Sequence, residues 1–206
     1  QEQWYLEGGY GINWKAAMEI WTPRQTVPVG VIDSGVNWKH PDLEKQIHEN
    51  LTEKSGFPGK DDDGNDKFDD IRGWDFIEND NNPEDHNGHG TFIASLIAAA
   101  HDDKGMVGVC RTAKIIPVRA GRSTGYLFHT MMASNYAVDR GARILNWSFS
   151  SSGAESYIEA VEKFNNKGVL LIAAASNKGQ DNDGNFPRYP ATVSYTHLTL
   201  PTNREV

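Results

Sequence analysis

The sequence predicts an α/β fold of three layers, in which a mostly parallel sheet carries helices on both faces. Two observations predict it. Strand-like and helix-like segments alternate along the chain, and the strand-like runs are largely apolar, as in strands buried on both sides. Glycines at Gly141 and Gly168 follow two of the helical segments, where glycine commonly ends a helix. We therefore expect repeated βαβ units.

Each element is predicted from its local pattern. The run 27–32 is rich in β-branched residues and predicts a strand that ends at Asp33, and 90–100 carries apolar residues at helical spacing. The segments that follow are a strand at 114–118, a helix at 128–139, a strand at 143–147, an amphipathic helix at 155–165 and an apolar strand at 169–174. This order is typical of a buried parallel sheet.

Composition and charge narrow the class of protein. The chain of 206 residues has 38% hydrophobic residues and a formal net charge of −8. That charge argues against nucleic acid or an anionic membrane as the main partner, because either would be repelled. No apolar run approaches the roughly 20 residues of a membrane helix, so we expect no membrane span in this fragment. The single cysteine, Cys110, is interpreted as a small buried apolar residue rather than a nucleophile.

Two short motifs carry candidate chemistry. Val-Gly-Val-Ile-Asp-Ser-Gly places Asp33 at a strand end, and Asn-Gly-His-Gly-Thr places His89 at a helix start. Carboxyl ends of parallel strands line the crevice where ligands bind, so folding could bring the acid against the imidazole. Taken singly, Asp33 also fits a residue that caps a turn or a helix. His89 also fits a surface residue, or a metal ligand that pairs with His86. No His-Glu-x-x-His spacing supports that metal pair.

Together these motifs closely resemble those of the subtilisin-like serine proteases, and the resemblance runs from about Trp4 to about Thr192. The family's order is acid, base, oxyanion donor, then serine. The resemblance implies that Asp33 is the acid, His89 the base and Asn177, in Ala-Ala-Ala-Ser-Asn-Lys-Gly, the oxyanion-hole donor. The segment that should carry the nucleophilic serine is absent from the sequence. We therefore expect an incomplete catalytic domain that is inactive by itself.

The resemblance also implies where a substrate binds. Ser148, Phe149 and Ser150 match the segment whose edge pairs with an extended peptide, and Ser123, Thr124 and Gly125 match the opposite wall. Phe149 fits a pocket wall and ordinary core packing equally well. The family often has glycine where Ser176 and Ser150 stand, which bears on the loop geometry before Asn177 and on the width of the first pocket.

The resemblance implies a serine endopeptidase that acts on proteins or peptides. It needs no cofactor for its chemistry, is made with an inhibitory propeptide, and is secreted or held at the cell surface. Two alternatives stay open. One is an inactive module of the same fold that binds peptides or a cell-surface partner. The other is a different α/β enzyme. This alternative is weakened because the sequence has neither a Gly-x-Gly-x-x-Gly loop nor a Gly-x-Ser-x-Gly elbow.

An acidic loop at 61–70 is a candidate metal site. Oxygen ligands that alternate around a glycine turn suit calcium, and the candidate ligands are Asp61, Asp63 and Asn65. The loop lacks the phase and the terminal glutamate of a helix-loop-helix calcium site. A solvated acidic loop is the equal alternative, so a structural calcium ion remains an open prediction.

The two ends of the chain differ from the peptidase motifs between them. Residues 194–206 read like a translated sequencing adapter, since TCT TAT ACA CAT CTG ACG CTG CCG ACG encodes 194–202 codon by codon. We therefore assign 1–193 to the amino-terminal part of the peptidase domain and 194–206 to a foreign tail. The chain begins at Gln1 with no leader segment, so its localisation is inferred from the resemblance alone.

Overall fold

The predicted alternation of strands and helices is present in a computed structural model of the chain. The structure describes residues 3–9, 11–20, 24–121, 127–151, 155–179, 181–182, 187–194 and 196–199. Its helices are α1 (Trp14–Ile20), α2 (Leu51–Ser55), α3 (His89–Ala98), α4 (Leu127–Asp139) and α5 (Glu155–Asn166), with a 3-10 turn at Glu44–Gln46. Its strands are β1 (Val27–Asp33), β2 (Trp74–Asp75), β3 (Ala113–Arg119), β4 (Ile144–Trp147), β5 (Leu170–Ala174) and β6 (Thr196–Thr199).

Within the described residues these strands form one sheet in the order β2-β3-β1-β4-β5-β6, and every neighbouring pair is parallel. In the register of β1 with β3, Asp33 lies opposite Arg119. Because all strands run the same way, their carboxyl ends meet at one edge of the sheet. The predicted parallel α/β architecture is therefore confirmed.

Helices cover both faces of the sheet, as the alternating directions of the β1 side chains show. Ile32 packs into a core with residues of α4 and α5, whereas Val29 and Val31 pack into a second core with Ala94 and Ala98 of α3. Successive side chains of a strand point to opposite faces, so one strand can serve two cores. Cys110, half-buried, packs against the core on the α3 side.

Gly30 of β1 is required by close packing of α4. A Cβ atom at this position would lie 2.9 Å from Cβ of Ala137 and 3.0 Å from Cδ2 of Leu145. The absence of a side chain lets α4 approach the central strand that ends at Asp33. The glycine within the motif of Asp33 thus allows the close approach of α4.

The sheet continues into the predicted tail. Thr196–Thr199 forms β6 and pairs with β5, where Leu171 lies opposite Thr196. Strand pairing is made by backbone groups, so an edge position accepts many sequences. The assignment of 194–206 to a foreign tail therefore stays a prediction.

No helix in the described ranges has the length and apolar character needed to cross a bilayer.

Candidate active site

A crevice of about 380 Å³ opens at the carboxyl ends of the strands. Its walls come from the last residues of β1 and β5, the segments that follow β1, β3, β4 and β5, the start of α3 with the loop before it, and one residue of α4. The lining residues are Ile32, Asp33, Ser34, Asn87, His89, Ala120, Gly121, Thr130, Ser148, Phe149, Ser150, Ala174, Ser176, Asn177 and Lys178. Folding thus brings the candidate acid, base and amide into one cleft, together with Ser148, Phe149 and Ser150.

Asp33 and His89 are in direct contact. Nδ1 of His89 lies 2.7 Å from Oδ1 of Asp33, although the residues are 56 positions apart. The Asp33 side chain is 6% exposed and the His89 side chain 49% exposed. An ionised carboxylate can only accept a hydrogen bond, so this contact assigns the proton to Nδ1. The other ring nitrogen, Nε2, is then free to accept a proton when the imidazole is neutral.

Backbone geometry makes this contact possible. A Cβ atom at Gly90 would lie 2.0 Å from the carbonyl oxygen of Gly35 and 3.0 Å from Cβ of Asp33. Glycine therefore allows the start of α3 to pack against the end of β1. The backbone N–H of Ser34 also donates to Oδ1 of Asp33 at 2.7 Å, which fixes the carboxylate that faces the imidazole.

Asp85 belongs to the same region, although the sequence motifs did not single it out. Its carboxylate accepts hydrogen bonds from the loop that leads into α3 and from the hydroxyl of Ser34. Burial raises the pKa of Asp85, but the hydrogen bonds from Thr91, Gly88 and Asn87 outweigh it and hold that pKa below its ordinary value. Asp85 is therefore ionised at neutral pH.

Asn177 lies just beyond β5 on the wall of the crevice, and it is exposed. The carbonyl oxygen of Ala175 accepts a hydrogen bond of 3.2 Å from Nδ2 of Asn182, which ties the loop to a later segment. A side-chain amide at this place can donate to an oxygen atom held in the crevice. The structure thus sets Asn177 in the same cleft as the Asp33–His89 pair.

Ser176, next to Asn177, holds a backbone conformation that favours glycine. Its φ is 83°, and the left-handed region costs a residue with a Cβ atom about 1–2 kcal/mol. Because glycine also gains entropy on unfolding, we expect Ser176→Gly to raise the free energy of unfolding by up to about 1 kcal/mol. Thermal unfolding of the full-length protein tests this, with Ser176→Ala as the control that keeps the Cβ atom. A glycine variant no more stable than the alanine variant would contradict it.

Phe149 packs in the core and also borders the crevice. Its ring stacks on Trp147 with 5.5 Å between centroids and 22° between planes, and it packs against the core of α4 and α5. Phe149 also lines the crevice. Ser148 and Ser150 flank it on the same wall. Ser123, Thr124 and Gly125, predicted for the opposite wall, lie outside the described residues.

The acidic loop gathers oxygen atoms around a small space. One carboxylate oxygen each from Glu53, Asp61 and Asp63 lies within 4.8 Å of the others. Oδ1 of Asn65 is buried and has no hydrogen-bond partner among the described residues. Desolvation raises the pKa of Asp61, but backbone N–H groups of Asp66, Asn65 and Gly64 outweigh it, so that pKa lies below its ordinary value. Glu53, on α2, is a candidate ligand that the loop sequence did not indicate.

Comparison with known proteins places the chain in a family. Residues 24–199 match the model of the subtilase family, peptidase S8. The chain is 38% identical over 151 residues to Subtilisin-like protease 1 of Plasmodium falciparum (isolate 3D7), which covers 71% of this chain and 22% of that protein. It is 34% identical over 181 residues to Subtilisin-like protease 1 of Plasmodium vivax, covering 81% and 29%.

Thermitase of Thermoactinomyces vulgaris is 31% identical over 180 residues, covering 85% of this chain and 55% of that protein. The chain therefore spans less than two thirds of each of these relatives. The family match itself extends over most of the chain, through the strand that ends at Asp33, the helix that begins at His89 and the loop that carries Asn177. The chain belongs to the subtilase family.

Proposed function

We propose that the full-length protein is a serine endopeptidase and that this chain supplies its acid, its base and one oxyanion-hole donor. The contact of 2.7 Å between His89 Nδ1 and Asp33 Oδ1, at the edge of a crevice that also holds Asn177, is the observation that carries the proposal. Membership of the subtilase family supports it. The nucleophilic serine comes from a segment of the protein beyond this sequence.

In the proposed mechanism, His89 is the general base. Nε2 of His89 takes the proton of the serine hydroxyl as its oxygen attacks the carbonyl carbon of the peptide. Asp33 holds the ring in the tautomer with the proton on Nδ1 and stabilises the imidazolium that forms. His89 then gives its proton to the leaving amine as the C–N bond breaks. Water next attacks the acyl carbon while His89 takes its proton, and His89 returns that proton to the serine oxygen as the ester bond breaks.

Asn177 stabilises the charge that develops on the carbonyl oxygen. As that carbon becomes tetrahedral, its oxygen gains negative charge, and an amide already directed at it favours the transition state over the substrate. The peptide itself pairs along Ser148–Ser150, whose backbone edge tolerates many side chains. Phe149 forms a wall of an apolar side-chain pocket, and the resemblance assigns the opposite wall of the peptide-binding segment to 123–125.

Hydrolysis of an unfolded protein by the full-length product tests the proposal. We expect cleavage in the wild type and loss of cleavage in His89→Ala. His86→Ala is the matched control, since His86 is exposed and lies three residues earlier. Equal loss in both variants would favour a metal pair. A folded, propeptide-free product that binds peptides without cleaving them would favour the inactive module.

The present chain, without the serine, is inactive by itself. The full-length protein is made with an inhibitory propeptide, and it is secreted or held at the cell surface. The family resemblance of the motifs supports these statements.

We also propose a structural calcium ion in the acidic loop, held by Asp61, Asp63 and Asn65 with Glu53 as a further ligand. Carboxylate and amide oxygens are the ligands that calcium prefers, and the buried, unpartnered Oδ1 of Asn65 fits such a role. The ion would neutralise carboxylates that otherwise repel one another. It would stabilise the loop and take no part in peptide hydrolysis.

Chelation is expected to destabilise the full-length protein. An ion present at 100 times its Kd stabilises the folded state by about 2.7 kcal/mol, so EDTA should lower Tm by roughly 5–10 °C. Asp63→Asn should abolish the response to EDTA, and Asp102→Asn, an exposed carboxylate outside the cluster, should retain it. A wild-type Tm that is indifferent to EDTA would contradict the calcium proposal.

A further inference from the structure

We infer that Asp85 is a positioning residue of the proposed active site, because its carboxylate holds the loop that presents His89 to Asp33. The inference rests on the proposed function and assigns a role to a residue other than the acid, the base and the oxyanion donor. Asp85 itself does not contact the reacting atoms in the proposed mechanism. It acts through the backbone on both sides of His89.

The carboxylate of Asp85 bonds the chain before and after the imidazole. Oδ1 accepts the backbone N–H groups of Asn87 at 2.8 Å and of Gly88 at 2.9 Å. Oδ2 accepts the backbone N–H of Thr91 at 2.9 Å and its hydroxyl at 2.6 Å. His89 and Gly90 lie between these contacts. One side chain therefore fixes both ends of the short segment that carries the base.

The same carboxylate reaches the end of β1. The hydroxyl of Ser34 donates to Oδ1 of Asp85 at 2.9 Å and accepts the backbone N–H of Gly90 at 3.0 Å. Ser34 directly follows Asp33 and donates its own N–H to the Asp33 carboxylate. The acid and the base are thus tied to each other through Asp85 as well as through their direct contact.

Only an ionised carboxylate fits this environment. Two backbone N–H groups and a hydroxyl face Oδ1, and an N–H group and a hydroxyl face Oδ2, so all five groups donate. An asparagine at this position would direct its NH₂ group at one or two backbone N–H groups, which can only donate, and those hydrogen bonds would be lost. The loop would loosen, and a shift of about 1 Å in a reacting group can lower a rate about 100-fold.

A comparison of full-length variants tests the inference. Asp85→Asn is expected to lower kcat about 10- to 100-fold, while KM changes by less than about twofold. The low-field proton NMR resonance of the Asp33–His89 hydrogen bond should broaden or disappear. Asp42→Asn is the matched control, since Asp42 is a buried carboxylate that accepts the N–H of Met106 at 3.1 Å.

Asp42 lies beyond the other end of α3, where its carbonyl oxygen accepts the N–H of Ala100 at 2.9 Å. The control should therefore lose stability while keeping kcat and the resonance. Wild-type kcat and an intact resonance in Asp85→Asn would overturn the inference, and so would an equal loss of kcat in Asp42→Asn.

A second variant decides the question if Asp85→Asn does not fold. Ser34→Ala removes the bridge between Asp85 and Gly90, and we expect a folded protein whose kcat falls several-fold with KM unchanged. A folded Ser34→Ala variant with wild-type kcat would overturn the inference. A wild-type protein that cleaves no peptide contradicts the proposed function. An active wild type together with an Asp85→Asn variant of unchanged kcat and resonance contradicts the role of Asp85 alone.

Discussion

Asp33→Asn in the full-length protein is expected to lower kcat about 10⁴-fold, the loss seen when serine proteases of a different fold lose the matching carboxylate. The side chains have nearly the same shape, so the fold and KM should change little. The neutral amide cannot stabilise an imidazolium, and its NH₂ group favours the tautomer with the proton on Nε2. That tautomer cannot accept the serine proton. Steady-state hydrolysis of a peptide amide measures the effect.

Asp42→Asn controls for the loss of a buried carboxylate, since Asp33 and Asp42 are both nearly inaccessible to solvent. It should reduce stability without reducing kcat. Turnover in Asp33→Asn within tenfold of the wild type would show that His89 does not depend on this carboxylate, and the assignment of Asp33 would then be wrong.

Asn177→Ala is expected to lower kcat by about 10²–10³-fold, the loss that subtilisin itself shows when its oxyanion-hole donor is removed. The amide stabilises charge that exists only in the transition state, so KM should stay nearly constant. Measurement of kcat and KM on one peptide amide separates the two effects. A rise in KM with unchanged kcat would indicate that Asn177 binds the substrate and not the oxyanion.

Asn182→Ala is the matched control for the loop. Its amide donates to the carbonyl oxygen of Ala175, so its removal loosens the loop without removing the side chain of Asn177 from the crevice. We expect a small effect on kcat. A loss as large as that of Asn177→Ala would mean that loop order, rather than the Asn177 amide, determines the rate.

The architecture could be predicted because the apolar, β-branched runs of buried parallel strands can be recognised in the local sequence. The strands and helices at 27–32, 114–118, 128–139 and 155–165 lie within one residue of the observed bounds. The helix predicted at 90–100 instead spans His89–Ala98, since Ala99 already has an extended ψ of 143°. The strand β2 has two residues, Trp74 and Asp75, and so short a strand has no periodicity to detect.

The candidate site was predictable only in part. Asp33 and His89 stand at a strand end and a helix start within recognisable motifs, so their meeting could be expected from the sequence. The role inferred for Asp85 depends on a bond to Ser34 across 51 positions, which no local pattern reveals. Glu53 joins the acidic loop from α2 by folding alone. Contacts between separate segments, which no local pattern shows, thus account for the residues that sequence reasoning missed.

Fluorophosphonate labelling of the full-length protein tests most directly whether the Asp33–His89 pair activates a serine. These probes react with a serine whose hydroxyl is deprotonated by a neighbouring base. We predict labelling of one serine beyond this sequence in the wild type, strong loss of labelling in His89→Ala, and full labelling in His86→Ala. No labelling of the folded, propeptide-free wild type, or labelling that His89→Ala leaves unchanged, would contradict the account.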